Sequence, residues 1–141
     1  MFTKDIFPIK VYSLMETINN MKEITIEELK DLQLEILKAV HNFCDENQIR
    51  YSLAYGTLLG AIRHNGYIPW DDDIDVCMMR EDYDKLVSIA QEEFTHPLVF
   101  QTAYTEKDFI RGHAQIRNVN TSAIIPCEIY KSFNQGIFID V

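Results

Sequence analysis

Apolar residues recur at Leu29, Leu32, Ile36, Val40 and Phe43. That three-and-four spacing is one face of a helix, and it predicts a helix from Ile26 to about Glu46. Thr25 followed by Glu28 has the form of a capping box, a hydroxyl and an acid that satisfy each other's backbone donors. A run rich in β-formers over 49–55 predicts a strand leading straight into Gly56 and Thr57. Residues 58–62 read as a short helix stopped by the turn-forming pair Asn65-Gly66. The segment 67–70 is an extended approach, because Pro69 disfavours helix in the residue before it. A strand is expected to begin near Asp73, where an acidic start gives way to apolar residues. From Arg80 the helical spacing returns, with Tyr83, Leu86, Val87, Ala90 and Phe94 on one face and Pro97 at its end. The remaining segments, 98–103, 112–118, 122–125 and 136–141, read as strands. Residues 1–24 lack clear periodicity and are expected to form an N-terminal extension draped over a domain spanning 25–141. The final apolar run stops without a turn or a polar tail. A buried strand is an unusual natural terminus, so the chain is expected to be an incomplete fragment of a longer protein.

Composition narrows the picture. The 141 residues are 47% apolar and 25% charged, the mix of a globular domain large enough to bury a core. No apolar run approaches the roughly 20 residues of a membrane-spanning helix. The first residues mix charge into their apolar positions, unlike a signal peptide, and a cytoplasmic location is expected. Three widely spaced cysteines, Cys44, Cys77 and Cys127, form no metal-type pair and are expected to be reduced, partly buried thiols. The net charge is −9, from 22 acids and 13 bases. Without a basic stripe this argues against a nucleic-acid partner. An acidic protein that takes a phosphorylated ligand needs a divalent cation between its carboxylates and the phosphates.

That condition points to Asp73 and Asp75. In a strand, residues two apart face the same way, about 7 Å apart at their Cα atoms. Ile74 between them would turn into the core. A carboxylate pair with room for phosphate oxygens suits Mg²⁺. A run of aspartates is otherwise a solvated loop, but here it sits between Pro69-Trp70 and an apolar strand, where crowded like charges call for a counter-ion. Asp72, of opposite parity, reads as a supporting acid. A calcium loop is excluded, because Val76 stands where the EF-hand needs glycine and Asp82 where it needs glutamate. Upstream, Gly56 and Thr57 lie between a strand and a helix. Glycine there lets a phosphate approach the backbone and the helix N-terminus attracts anions, while Thr57 could cap the helix or bond a phosphate oxygen.

Strand, Gly-Thr, helix, then a strand carrying Asp-x-Asp resembles the nucleotidyltransferase fold of the polymerase-β type. More narrowly, the run from Tyr55 to Asp75, YGTLLGAIRHNGYIPWDDDID, closely resembles the LicD family, which includes phosphocholine transferases and fukutin-like ribitol-phosphate transferases. The likeness is almost unbroken from Tyr51 to about Leu86 and looser outside it. It implies an α+β fold, with a nucleotidyltransferase-like mixed β-sheet flanked by helices and truncated at its C-terminus. It implies a transferase that moves a phosphoalcohol such as phosphocholine from a CDP-linked donor to a cell-surface glycan hydroxyl. It further implies that Asp73 and Asp75 hold Mg²⁺, or Mn²⁺ in its place, and that Asp140 adds a third carboxylate as metal ligand or general base. Family members are longer than this chain, and much of the acceptor site is expected in the length it lacks. Arg63, where the family also has arginine, is a candidate phosphate contact, as is Arg117, which shares a strand face with His113 and Gln115. A surface position is the other reading for Arg117. His64 is expected to be structural, and Tyr67 and Trp70 to serve the core or a hinge. Two other functions fit less well: a glycosyltransferase, which normally begins with a nucleotide-binding strand–helix unit and places Asp-x-Asp much later in a larger domain, whereas here the Gly-Thr turn lies immediately upstream, and a binding domain that has lost catalysis.

Overall fold

The computed structural model describes residues 22–141, so the extension expected over 1–24 lies almost wholly outside the described residues. Helix α1 (Ile26–Glu46) matches the predicted bounds. Thr25 Oγ1 accepts the Glu28 N–H at 3.2 Å, and Glu28 Oε2 accepts the Thr25 N–H at 2.9 Å. Ile36, Val40 and Phe43 are buried, with Leu29 and Leu32 partly buried against the same core. The stripe is a core face.

Strand β1 (Ser52–Leu53) is shorter than expected because helix α2 (Tyr55–His64) starts early. The Ala54 carbonyl already accepts the Leu58 N–H at 3.0 Å, and Tyr55 takes a left-handed φ of 43° that turns the chain out of the strand. Asn65, at φ 54°, ends α2. Gly60 is obligatory in this corner: a Cβ there would lie 2.5 Å from the Gly66 carbonyl oxygen and 2.9 Å from the Ile68 nitrogen. Strand β2 (Val76–Cys77) pairs antiparallel with β1, and helix α3 (Arg80–Glu93) follows. Strands β3 (Leu98–Gln101), β4 (Gln115–Asn118) and β5 (Ile137–Asp140) form an antiparallel sheet with β4 in the middle.

The strand expected over 122–125 does not form. The segment joins none of the strand ladders and is tied instead by the Ala123 N–H to the Gln135 carbonyl at 2.7 Å. A 3₁₀ turn (Pro126–Glu128) follows.

The two small sheets meet at one point. Asp75 and Asp140 form a parallel bridge, in which the Asp140 N–H donates to the Ile74 carbonyl at 2.9 Å. The sheet is therefore mixed, and the fold is α+β as expected. Helix α1 packs on β4 and β5, and α3 on β3. Between them lie Val40, Leu86, Ala90, Ile116 and Ile139, none of which has any measurable exposure. Among the described residues no helix is long and apolar enough to cross a membrane. All three cysteines are free, but only Cys44 is buried; Cys77 and Cys127 are exposed.

Asp82, buried in the first turn of α3, fastens that helix to the segment after α1. It accepts the Arg50 backbone N–H at 3.1 Å and the Arg50 Nε at 3.0 Å, with Nη2 at 2.8 Å. These bonds hold its carboxyl below the ordinary value of 3.8, the backbone bond contributing most. A carboxyl lowered in the folded state stabilises above its unfolded pKa, and that stabilisation is lost as pH falls through the folded value. The gap in urea midpoint between the protein and Asp82→Asn should therefore hold steady from neutral pH down to about pH 5 and narrow below pH 4. A gap that widens on acidification would contradict this arrangement.

Candidate functional site

Residues 71–74 have no regular secondary structure, and Asp75 enters only the bridge to Asp140. The expectation that Asp73 and Asp75 share one strand face is thus corrected: Asp73 lies ahead of the strand, in a loop. That loop is held from α1. Lys30 Nζ donates to the carbonyls of Ile68 at 3.3 Å and Pro69 at 2.9 Å. Gln33 Nε2 donates to the carbonyl of Asp72 at 2.9 Å and to that of Phe138 at 3.4 Å, tying the loop to β5. Ile74 is 1% exposed and anchors the segment in the core, as its parity predicts.

This fixing crowds acids together. Asp71, Asp72 and Asp73 each bring one carboxylate oxygen within 4.8 Å of the others. Burial raises the Asp73 carboxyl above 3.8, and Asp75, Asp71, Asp72 and Asp140 raise it further. Burial also raises Asp75, followed by the charges of Asp140 and Asp71, with His113 opposing. Among the described residues no lysine or arginine forms an ion pair with Asp71, Asp72, Asp73 or Asp75. An uncompensated, all-oxygen donor set of this kind fits a hard divalent cation such as Mg²⁺ or Mn²⁺. A cleft of about 330 Å³ opens beside it, lined by Asp72, Asp73 and Asp140 together with Leu29, Gln33 and Phe138.

Gly56 and Thr57 adjoin the acids by different means from those expected. The N-cap of α2 is Ala54, without a side-chain cap, so Thr57 does not cap the helix. Its Oγ1 instead accepts the Asp75 N–H at 2.9 Å, which fixes the backbone of a candidate ligand and leaves the hydroxyl proton free to donate. Gly56 makes room for Asp71: a Cβ at position 56 would stand 2.5 Å from Asp71 Oδ2. The acid loop therefore packs onto the first turn of α2, where the helix end favours negative charge.

A family model described as LicD/FKTN/FKRP, nucleotidyltransferase domain, matches residues 48–136. The chain belongs to the LicD family. It is 50% identical over 76 residues to the lipopolysaccharide cholinephosphotransferase LicD of Haemophilus influenzae, covering 54% of this chain and 28% of that protein. It is 46% identical over 63 residues to an uncharacterised protein of Rickettsia typhi, covering 44% of this chain and 20% of the relative. An uncharacterised protein of Rickettsia prowazekii is 38% identical over 87 residues, covering 60% and 33% respectively. The chain thus spans between a fifth and a third of the length of these relatives. The LicD match takes in Gly56, Thr57, Arg63, Asp73, Asp75 and Arg117 and stops short of Asp140. The bridge to Asp75 is what brings Asp140 beside the acid loop.

The arginines are placed differently from the acids. Arg63 is exposed on the last turn of α2 and forms no ion pair among the described residues. Arg117 is 0% exposed, so neither a surface position nor direct contact with an entering diphosphate fits it. Trp70 is 82% exposed and serves no core, whereas Tyr67 is half-buried and its hydroxyl donates to the Lys30 carbonyl at 3.1 Å. His64 is exposed at the end of α2. Sequence reasoning passed over Gln33 and Lys30. Gln33 carried a usable signal, being a polar residue within the apolar stripe, three positions before Ile36 and four after Leu29; Lys30 lies off that stripe and carried none.

Thr57→Val keeps the shape of the side chain but leaves the Asp75 N–H without its acceptor. It should lower stability by about 1 kcal/mol in urea unfolding, while Thr57→Ser, which keeps the hydroxyl, should lose less. Equal losses in the two variants would show that the methyl group, not the hydrogen bond, matters.

Proposed function

We propose that this chain forms the cation- and donor-binding part of a LicD-type transferase, which moves phosphocholine or a similar phosphoalcohol from a CDP-linked donor to a glycan hydroxyl. The observation that carries the reading is the crowding of the Asp71, Asp72 and Asp73 carboxylates, with Asp75 bridged to Asp140 beside them and, among the described residues, no lysine or arginine paired with Asp73 or Asp75, inside or beside the segment matched by the family. The lipopolysaccharide cholinephosphotransferase of Haemophilus influenzae, half identical over 76 residues, supports phosphocholine as the group and a surface glycan as the acceptor.

On this reading Asp73, Asp75 and Asp140 hold Mg²⁺ or Mn²⁺, which when bound neutralises the donor diphosphate and the charge that builds on its leaving group. The remaining work belongs to the chain. Lys30 and Gln33 hold the acid loop still, and Thr57 fixes the Asp75 backbone, so the carboxylates meet a ligand without rearrangement. The cleft beside Asp72, Asp73 and Asp140 receives the donor. The acceptor oxygen bonds to the phosphorus that carries the alcohol, and the phosphoanhydride bond breaks with its electron pair leaving on CMP. The acceptor proton passes to a carboxylate of the site. The reaction is placed in the cytoplasm, where CDP-linked donors would be met.

In the full-length protein, Asp73→Asn and Asp75→Asn should each cut CMP release from CDP-choline by about 100-fold or more, since each removes charge that the cation needs. Unfolding midpoints should stay near or above that of the parent, because a crowded charge is removed. Near-normal turnover in both variants, or faster hydrolysis of a UDP-sugar than of CDP-choline, would overturn the reading.

A further inference from the structure

Asp140 is contacted on only one of its two oxygens. Gln115 Nε2 donates to Oδ1 at 2.7 Å, and His113 Nε2 lies 3.1 Å from the same atom. Among the described residues nothing donates to Oδ2. The carboxylate is therefore gripped from one side and open on the other.

Gln115 is itself oriented. It is the register partner of Asp140 across β4 and β5, so sheet pairing sets the contact. A glutamine amide can present either end, and here the choice is forced from behind: Gln115 Oε1 accepts Arg117 Nη2 at 2.5 Å, which leaves Nε2 toward Asp140. Arg117 Nη1 donates to the Gly136 carbonyl at 2.7 Å, and the guanidinium lies 4.3 Å from the centre of the Phe138 ring and 5.6 Å from that of Phe133. Gln115 and Arg117 are 1% and 0% exposed. Among the described residues Arg117 has no carboxylate within ion-pair distance. A buried cation without a direct anion is costly, and an apolar side chain would fill the space more cheaply if packing were its whole purpose.

We infer that Gln115 and Arg117 are positioning residues that act on Asp140 in series, the buried guanidinium orienting and polarising the Gln115 amide so that it holds Asp140 by Oδ1 and leaves Oδ2 free for the cation. The inference rests on the cation-site reading above. A direct arginine–carboxylate fork would occupy both oxygens and compete with the cation. Routing the positive charge through an amide steadies the same carboxylate through one oxygen only. Partners that orient metal-binding carboxylates in this way typically change metal affinity by about 10–100-fold when removed.

The test uses the full-length protein and Mn²⁺ as probe, with binding followed by calorimetry and by the electron paramagnetic resonance of the bound ion in the presence of CDP-choline. Gln115→Leu should weaken Mn²⁺ binding by about 10-fold or more. It should also shift the half-saturating Mn²⁺ concentration for CMP release upward by a similar factor, with the rate at saturating Mn²⁺ largely restored. Arg117→Met should move both quantities the same way by a smaller factor, because the amide keeps its bond to Asp140 but loses its orientation. If Gln115→Leu shows no cooperative unfolding transition, Gln115→Met decides, since a flexible thioether fills the same space. Unchanged Mn²⁺ affinity in a folded Gln115 variant would overturn the inference, as would a loss of maximal rate that added Mn²⁺ does not restore. Parallel titration of Asp73→Asn separates the two readings. If the parent binds Mn²⁺ and Asp73→Asn does not, the cation site stands whatever Gln115 does; if the parent does not bind Mn²⁺, both readings fall.

Discussion

Two short sheets, one from the middle of the chain and one from its second half, touch at a single parallel bridge between Asp75 and Asp140. One backbone bond from the Asp140 N–H to the Ile74 carbonyl, at 2.9 Å, and one from the Ala54 N–H to the Asp75 carbonyl, at 3.0 Å, join β5 to β2 and on to the start of α2. Everything proposed for the site depends on that seam. It brings an acid from β5 beside an acid loop 65 positions earlier in the chain, as the residue numbers show. It also brings the Thr57 hydroxyl to the Asp75 backbone. The seam is held by its neighbours on either side: Ile74 and Ile139 sit in the core beneath it, and α1 covers β4 and β5.

The charge arrangement follows from that placement. Crowded carboxylates oppose folding, and burial adds to the penalty by disfavouring their charged forms. The structure tolerates them because the loop is fixed through backbone carbonyls, which Lys30 and Gln33 engage, rather than through its side chains. Among the described residues no side chain or backbone group bonds the carboxylates of Asp71, Asp72, Asp73 or Asp75. Where acids in this protein serve architecture the pattern is the opposite: Asp82 is saturated by Arg50, and Glu128 is paired with Arg111 at 2.7 Å. The same residue types are thus sorted by their partners into a structural set and a set left available.

Much of the fold was legible from local pattern. The capping box and apolar stripe located the start of α1 at Ile26 and its end near Glu46, and α3 began at Arg80 as its spacing required. Helix α2 was found but drawn too short, because a left-handed Tyr55 lets the helix start inside a run of β-formers. The strand at 122–125 failed because strand propensity does not decide whether a segment is brought into a ladder. At the site, Asp73, Asp75 and Asp140 were named in advance, and Ile74 went to the core as its alternation required. The reason offered for pairing Asp73 with Asp75 was wrong in detail, since a braced loop rather than a strand face brings them near each other. Arg117 misled the reading because a lone arginine on a strand looks like a surface or ligand-facing residue, and only its neighbours reveal that it is buried behind Gln115.

Taken by itself, the sequence determined which segments are helical, which residues face the core and where the acids concentrate, because periodicity and capping act over a few residues and are written directly in residue order. It also carried the LicD likeness, because that likeness lies in an almost unbroken local run. Only the tertiary structure decided that Asp140 adjoins Asp75, that Thr57 serves the backbone of Asp75 rather than a helix end, and that Arg117 reaches Asp140 only through an amide. Those outcomes depend on contacts between residues far apart in the chain, and such contacts are set by how sheets pair and cores fill rather than by any local rule.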